Sequence, residues 1–157
     1  MKRSAAALFL GLGLAILAVA ASPAYARSTT GFSAFHVESP IASNPYTCLA
    51  ENNGAVVNNC SYAVSLEFDL PIDGAGVKTI TVQDYWGGSD AENTFSCTAY
   101  AYTGSEGSST VGNAIDFTAP LQSLTSTVDV ASATESIQLI CWNVPAGGGV
   151  ANLNWNK

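Results

Sequence analysis

The sequence predicts an all-β protein, an Ig-like or jelly-roll antiparallel β-sandwich of about seven to eight strands. Apolar and polar residues alternate with a period of two along most of the chain, as in strands with one buried and one solvated face. Turn signals rich in glycine, proline, asparagine and aspartate recur at intervals of roughly 10–15 residues. No segment after residue 26 shows the period of an amphipathic helix.

The first 26 residues form a predicted secretory signal peptide that is cleaved on export. Lys2 and Arg3 precede an apolar run over residues 5–21, and Ala24-Tyr25-Ala26 is an A-x-A cleavage site. A membrane anchor is the alternative, because these 17 apolar residues reach the lower limit for spanning a bilayer. The helix-breaking Ser22-Pro23 and the cleavage site favour removal.

Cleavage leaves 131 residues, divided into an N-terminal segment with a candidate edge strand (27–45) and a single sandwich domain (46–157). The mature chain keeps 12 acidic residues but only three basic ones, Arg27, Lys78 and Lys157, so its net charge is −9. Nucleic acids and anionic membranes are bound through clustered cations, so both are excluded as partners. We also expect no stable membrane span after cleavage, because no second long apolar run follows.

Four cysteines predict two disulfides, because the chain is exported and contains no CxxC pair. Four cysteines can be joined as two disulfides in three different ways. The favoured pairs are Cys48–Cys60, around a turn-rich stretch, and Cys97–Cys141, whose members both lie on the apolar side of alternating segments. The cysteine spacings of 12, 37 and 44 residues do not fit a zinc site, and no firm metal site is expected.

Each predicted strand has its own alternation and its own terminator. The strands are residues 62–70, 77–85, 95–102, 114–118, 125–131, 136–144 and 151–156. Pro71 with Asp73-Gly74 ends the first strand, and residues 87–90 form a turn after the second. The third places Tyr100 and Tyr102 on the face opposite its apolar residues. The remaining predicted strands are separated by a Gly/Ser-rich loop, by Ala119-Pro120 and by a late glycine run. Trp142 and Trp155 are expected in the core, because both lie in alternating strands.

The strongest candidate ligand site is the segment QDYWGGSDAEN, where two aromatic residues adjoin a Gly-Gly turn and several acids. The residues predicted to bind are Asp84, Tyr85, Trp86, Asp90, Glu92 and Asn93. Aromatic faces stack on sugar rings, while carboxylates and amides bond hydroxyl groups or hold calcium, which is the one candidate cofactor. The alternative is that Tyr85 and Trp86 finish a strand and cover the sandwich end, while the acids solvate the loop.

No catalytic residues are expected. A catalytic triad needs a histidine, and the single one, His36, is interpreted as a solvent-facing residue on an N-terminal strand. There is no G-x-S-x-G motif and no EF-hand loop. Glu67 and Asp69 share one face, but nothing marks them as the two carboxylates of a glycosidase.

Four further segments resemble a loose group of small exported bacterial β-sandwich proteins of unassigned function. They are Cys48 with the Asn/Gly-rich residues 51–54, Asp69-Leu70-Pro71, the strand 80–84 before Cys97, and residues 139–145 around Cys141. The resemblance spans roughly residues 46–157. It implies a secreted sandwich and no catalytic or binding residues.

The main functional hypothesis is a secreted, non-enzymatic sandwich, structural or ligand-binding, with a glycan or cell-surface partner and an extracellular or periplasmic location. The second is a self-assembling subunit of an extracellular appendage, with residues 30–38 as a donated strand. A small secreted hydrolase is the third.

Overall fold

The computed structural model describes residues 26–30, 35–36, 48–86, 94–102 and 109–156. Within these ranges the chain forms twelve strands and no α-helix, which confirms the predicted all-β class. The strands are β1 (Ala26–Thr30), β2 (Phe35–His36), β3 (Leu49–Asn52), β4 (Ala55–Asn58), β5 (Val64–Leu70), β6 (Gly76–Trp86), β7 (Phe95–Tyr102), β8 (Ser109–Val111), β9 (Ile115–Phe117), β10 (Ser123–Val130), β11 (Ser136–Val144) and β12 (Gly148–Asn156).

The strands form two antiparallel sheets. Sheet A has the order β10-β6-β12-β4-β3, with β1 also paired to β12, and sheet B has the order β2-β5-β11-β7-β8, with β9 also paired to β7. From β4 onwards the chain passes repeatedly from one sheet to the other. The resulting orders, β4-β12-β6-β10 and β5-β11-β7-β8, are those of a jelly roll, one of the two expected topologies.

The structure has more strands than the predicted seven or eight, because several are too short to show an alternation. The hairpin of β3 and β4 is an example. Asn53 and Gly54 have φ values of 51° and 85°, the positive values that a tight two-residue hairpin turn requires. The N-terminal segment supplies β1 to sheet A and β2 to sheet B, where His36 lies opposite Glu67. Residues 1–25 lie outside the described residues.

Inward-facing side chains of the two sheets form one hydrophobic core. Its largest fully buried members are Phe68, Phe117, Leu66, Leu70, Ile80, Ile137, Leu139 and Leu153. Trp155 is also in the core, as predicted, and its indole N–H donates to the Pro71 carbonyl oxygen at 2.9 Å. The expectation for Trp142 is wrong: the inward residues of β11 include Leu139 and Cys141, so strand alternation turns Trp142 outward, where it is 39% exposed.

Two disulfides are present, as expected, and they join the favoured pairs. Cys97 and Cys141 lie directly opposite each other on β7 and β11, on the fully buried inner face of sheet B. Cys48–Cys60 closes the loop that contains the β3–β4 hairpin. One bridge therefore lies within the core, and the other closes a local hairpin at the edge of sheet A.

A buried amide links sheet A to the end of β11 in sheet B. Asn58 of β4 is fully buried. Its Nδ2 donates to the carbonyl oxygens of Tyr62 and Val144, both at 2.8 Å, and its Oδ1 accepts from the Cys60 N–H at 2.8 Å. The side chain thus satisfies three backbone groups that the sheets leave unpaired.

Candidate functional site

The predicted ligand-binding segment begins at the end of β6, and the structure separates its first members. Alternation along β6 directs Asp84 inward, in register with Val150, and Tyr85 outward. Trp86 is half-buried and packs against the hydrophobic core. Asp84, Tyr85 and Trp86 therefore do not share one surface. The other predicted members, Asp90, Glu92 and Asn93, lie outside the described residues.

Tyr85 reaches across the outer face of sheet A. Its hydroxyl accepts a hydrogen bond from Nδ2 of Asn52 at 2.5 Å. Asn52 lies on β3, and strands β12 and β4 separate β3 from β6. Three strand spacings amount to about 14 Å, so the two side chains must extend towards each other above the intervening strands. This contact fixes the half-buried ring of Tyr85 against the sheet.

Nine further positions of this outer face, in three neighbouring rows across β10, β6 and β12, are polar and uncharged. They are Ser123, Gln83 and Asn152; Thr125, Thr81 and Asn154; and Thr127, Thr79 and Asn156. Neighbouring side chains bond each other: Asn152 donates to Gln83 at 2.8 Å, and the Thr81 and Thr125 hydroxyls lie 3.3 Å apart. These pairs stabilise the sheet, and the exposed Asp129 and Val77 occupy the next row of the same face.

Asp84 is almost completely buried, with 1% of its surface exposed, and neither carboxylate oxygen has a hydrogen-bonding partner. Burial raises the pKa of this carboxyl group above 3.8. The nearby backbone N–H groups of Gln122, Asp84 itself and Leu121 lower it in part, although none meets hydrogen-bond geometry. The carboxyl group is therefore removed from solvent, and no hydrogen bond compensates for its burial.

Two tyrosines and a tryptophan lie on the outer face of sheet B. The rings of Tyr100 and Tyr102 on β7 are stacked, with centroids 6.1 Å apart and an interplanar angle of 26°. Burial is the main cause of the raised pKa of Tyr102, and the nearby Tyr100 and Glu67 raise this pKa further. Glu67 lies on β5, two strands from β7, on the same outer face of sheet B.

Polar groups adjoin these rings. Gln138 lies opposite Tyr100 in the register of β11 and β7, and its Nε2 contacts Oε2 of Glu67 at 3.4 Å. Trp142 lies two positions beyond Ile140 on the same face, opposite Ser96. We call Tyr100, Tyr102, Gln138 and Trp142 the aromatic face.

An open depression of about 330 Å³ lies at the end of the aromatic face, next to the strand position where Ser96 pairs with Trp142. It is lined by Thr94, Phe95, Ser96, Asp116, Thr118 and Asn143. Ser96 pairs with Trp142 on one side and with Asp116 on the other, which joins the depression to the aromatic face. An aromatic side chain beside carboxylate, hydroxyl and amide groups can hold a polar ring compound by stacking and hydrogen bonding.

Sequence reasoning did not select the aromatic face as a site, although the signal for part of it was present. Tyr100 and Tyr102 alternate with Phe95, Cys97, Ala99 and Ala101, so two large rings were expected on the non-core side of β7. Trp142 was missed because a single tryptophan in an apolar strand is usually buried.

The described residues contain no group of three or more His, Cys, Asp or Glu side chains that could hold a metal ion. Across the same residues, no helix is both long and apolar enough to cross a membrane. The His36 backbone pairs with β5 at the edge of sheet B.

No protein-family model matches the chain, and no curated protein matches it. Among solved structures it is similar to CBM35 from Paenibacillus barcinonensis, with 12% identity and a TM-score of 0.47 over 83% of this chain and 98% of that chain. It is also similar to TmCBM61 in complex with β-1,4-galactotriose (13% identity, TM-score 0.42, 83% and 86% coverage). A third is the carbohydrate binding module CBM6cm-2 from Cellvibrio mixtus lichenase 5A with cellotriose (12% identity, TM-score 0.42, 83% and 96% coverage). At these values the similarities assign neither a family nor a ligand.

Proposed function

We propose that the chain is an exported, non-enzymatic β-sandwich that binds carbohydrate across its aromatic face. The observation that carries this proposal is the stacked pair of Tyr100 and Tyr102, beside the Gln138 amide and the Glu67 carboxylate on an outer sheet face. Sugars present apolar C–H faces and a rim of hydroxyls. An aromatic surface flanked by amide and carboxylate groups complements both features.

The charge of this surface favours neutral over anionic glycans. Glu67 and Asp69 lie on the same outer face of sheet B, and Asp116 lines the adjoining depression. Lys78 is the one lysine or arginine whose side chain the structure describes, and it is buried at 3% exposure on the other sheet. A uronic acid polymer would meet carboxylates without compensating cations, so electrostatic complementarity opposes its binding.

Export is supported by the two disulfides, because such bonds persist in oxidising compartments. An extracellular or periplasmic location is therefore part of the proposal. So is a contact at the segment predicted from the sequence, Asp84, Tyr85, Trp86, Asp90, Glu92 and Asn93, whose described members lie at the end of β6 and not on the aromatic face.

The test compares retention of the mature protein on neutral polysaccharides, such as cellulose, mannan and galactan, with retention on polygalacturonate. We expect retention on at least one neutral polymer. Tyr100→Ala and Tyr102→Ala should each weaken it about tenfold, which corresponds to about 1.4 kcal/mol for one lost stacking contact. Tyr62→Ala is the matched control, since Tyr62 is 54% exposed in the connection between β4 and β5.

Three results would contradict the proposal. One is retention on none of the neutral polymers, and another is equal retention of Tyr100→Ala and the control variant. The third is release of reducing ends from the bound polymer, which would indicate a hydrolase. Loss of retention in Trp86→Ala, with Tyr100→Ala unaffected, would move the binding surface to the sandwich end.

A further inference from the structure

A β-bulge places Trp142 and Asn143 side by side on the outside of sheet B. The pairing of β11 with β5 shifts by one residue between Cys141 and Val144, so two residues of β11 lie opposite one residue of β5. Regular alternation from the buried Cys141 would turn Asn143 inward and Val144 outward. Val144 is instead fully buried, and both Trp142 and Asn143 are exposed. An aromatic ring and an amide therefore lie next to each other on one surface.

The backbone of Asn143 is in the left-handed conformation, with a φ of 57°. Glycine adopts this conformation freely, and asparagine tolerates it better than most other residues. Backbone conformations of this kind occur often at ligand sites, where the surrounding structure holds them. The bulge thus keeps a hydrogen-bonding side chain at a position where many side chains would be strained.

The bulge forms part of the wall of the depression at the end of the aromatic face. Asn143 lines this depression together with Ser96 and Asp116, which lie opposite each other on β7 and β9. Phe95 supplies an apolar part of the wall and stacks on Phe117, with ring centroids 4.6 Å apart. The depression therefore presents an amide, a hydroxyl and a carboxylate around a buried aromatic support.

The Thr118 side of the depression is held by a neighbouring side chain. Oε1 of Gln122 accepts hydrogen bonds from the N–H groups of Thr118 at 2.8 Å and Ala119 at 3.0 Å. Paired strands hold the Ser96 and Asp116 side in the same way. The polar groups of the depression are thus positioned before any ligand binds, which lowers the entropic cost of binding.

The depression and the stacked tyrosines are too far apart for one sugar ring to contact both. Tyr100 pairs with Gln138, and Trp142 follows Gln138 by four residues on β11, which is about 13 Å along the strand. Ile140 and Thr98 lie in the row between them and are only 6% and 8% exposed, so neither side chain projects beyond its neighbours. A chain of several sugar residues can therefore extend along β11 from the tyrosines to the depression.

We propose that the depression is a second sugar subsite and that the ligand is a linear, neutral glycan chain spanning both subsites. This inference rests on the proposed carbohydrate binding and names the form of its ligand. Trp142 would stack on the sugar residue that enters the depression. Asn143 and Asp116 would bond its hydroxyl groups, since the amide both donates and accepts and the carboxylate accepts. The depression would then discriminate between sugars that the tyrosines hold by stacking alone.

The test is isothermal titration calorimetry of the mature protein with cello-, manno- and galacto-oligosaccharides, from disaccharides to hexasaccharides. The affinity of the wild type should rise with chain length until the chain covers both subsites. Asn143→Gly keeps the positive φ of the bulge and removes the amide, so it should weaken hexasaccharide binding about fivefold, the effect of one hydrogen bond. Trp142→Ala should weaken it about tenfold, the effect of one stacking contact.

Asn53→Gly is the matched control for Asn143→Gly. Asn53 is also an exposed asparagine with a positive φ, 51°, but it lies in the β3–β4 turn of the other sheet. The control should leave the affinity for every oligosaccharide unchanged. In both Asn143→Gly and Trp142→Ala, the gain in affinity from disaccharide to hexasaccharide should be smaller than in the wild type.

Equal hexasaccharide affinities of Asn143→Gly, Trp142→Ala and the control would overturn this inference. If Tyr100→Ala still weakened binding in that case, the proposed function would stand with a single subsite. Equal affinities of the wild type for disaccharides and hexasaccharides would also overturn the inference, because the ligand would then occupy one subsite only. Absence of binding to every oligosaccharide would contradict the proposed function itself, and the inference with it.

Discussion

Replacement of Asn58 by alanine should be among the most destabilising changes of a polar residue in this protein. The side chain of Asn58 makes three hydrogen bonds of 2.8 Å, two as donor to the Tyr62 and Val144 carbonyls and one as acceptor from the Cys60 N–H. Its atoms are inaccessible to solvent, so water does not replace these bonds without rearrangement of the chain.

The magnitude follows from the number of bonds lost. Each intramolecular hydrogen bond contributes about 1 kcal/mol net, so Asn58→Ala should lower the free energy of unfolding by about 3 kcal/mol. A domain of this size is stable by about 5–15 kcal/mol, so the loss is a large share of the total. The melting temperature should fall by roughly 10 °C.

Urea denaturation, with the slope m compared between variants, measures this effect. Asn59→Ala is the control, because Asn59 is the adjacent, exposed asparagine. Asn58→Asp should be worse than Asn58→Ala at neutral pH, because a carboxylate oxygen would replace the Nδ2 group that faces two carbonyl oxygens. A change below about 1 kcal/mol in Asn58→Ala, with m unchanged, would refute this account of how β4 is joined to β11.

Three further outcomes are expected. Removing the Cys97–Cys141 disulfide by double alanine substitution should lower the free energy of unfolding by about 4 kcal/mol, and removing Cys48–Cys60 by about 3 kcal/mol, because the loops close 44 and 12 residues. Urea denaturation measures both, and a larger loss from the shorter loop would contradict the loop-closure explanation. Asp84→Asn should be more stable than wild type at neutral pH, because the buried carboxylate has no hydrogen-bonding partner. The raised pKa of Asp84 means that its protonation stabilises the fold, so this advantage should shrink as the pH falls and vanish below about 3.8, as thermal melts in a pH series would show. A constant difference across that range would exclude titration of Asp84 as the cause. Gly149→Ala should destabilise strongly, because a Cβ there would lie 2.1 Å from the Val56 carbonyl oxygen, whereas wild-type stability in a thermal melt would show that β4 can move.

The sequence was sufficient to predict the long strands and the two disulfides, because both depend on local patterns. Period-two alternation identified β5, β6 and β11, each seven or more residues long. Among the short strands, β9 was predicted at residues 114–118 and an edge strand was expected in the N-terminal segment, whereas β3, β4 and β8 contain too few alternations to be recognised. The role of Asn58 could not be predicted from the local sequence pattern either, because its partner Val144 is 86 residues away in the sequence.

The candidate site was harder to predict, because neighbours in sequence on a strand are not neighbours on a surface. Asp84 and Tyr85 were grouped as one site, yet alternation along β6 places them on opposite faces of sheet A. Tyr100 and Trp142 are 42 positions apart in the sequence but lie on one face of sheet B, because β7 pairs with β11. Strand pairing, which the local pattern does not specify, creates the aromatic face.

The two proposed contact regions, the aromatic face and the end of β6, make separable predictions because they belong to different parts of the sandwich. The aromatic face lies outside sheet B, whereas Asp84 lies at one end of sheet A and points inward. Asp84→Asn should therefore change the stability of the fold without changing the affinity of the aromatic face for a glycan. If glycan retention is instead lost in Asp84→Asn and unchanged in Tyr100→Ala, the contact surface is at the end of β6. That result would favour the grouping predicted from the sequence over the face that strand pairing assembles.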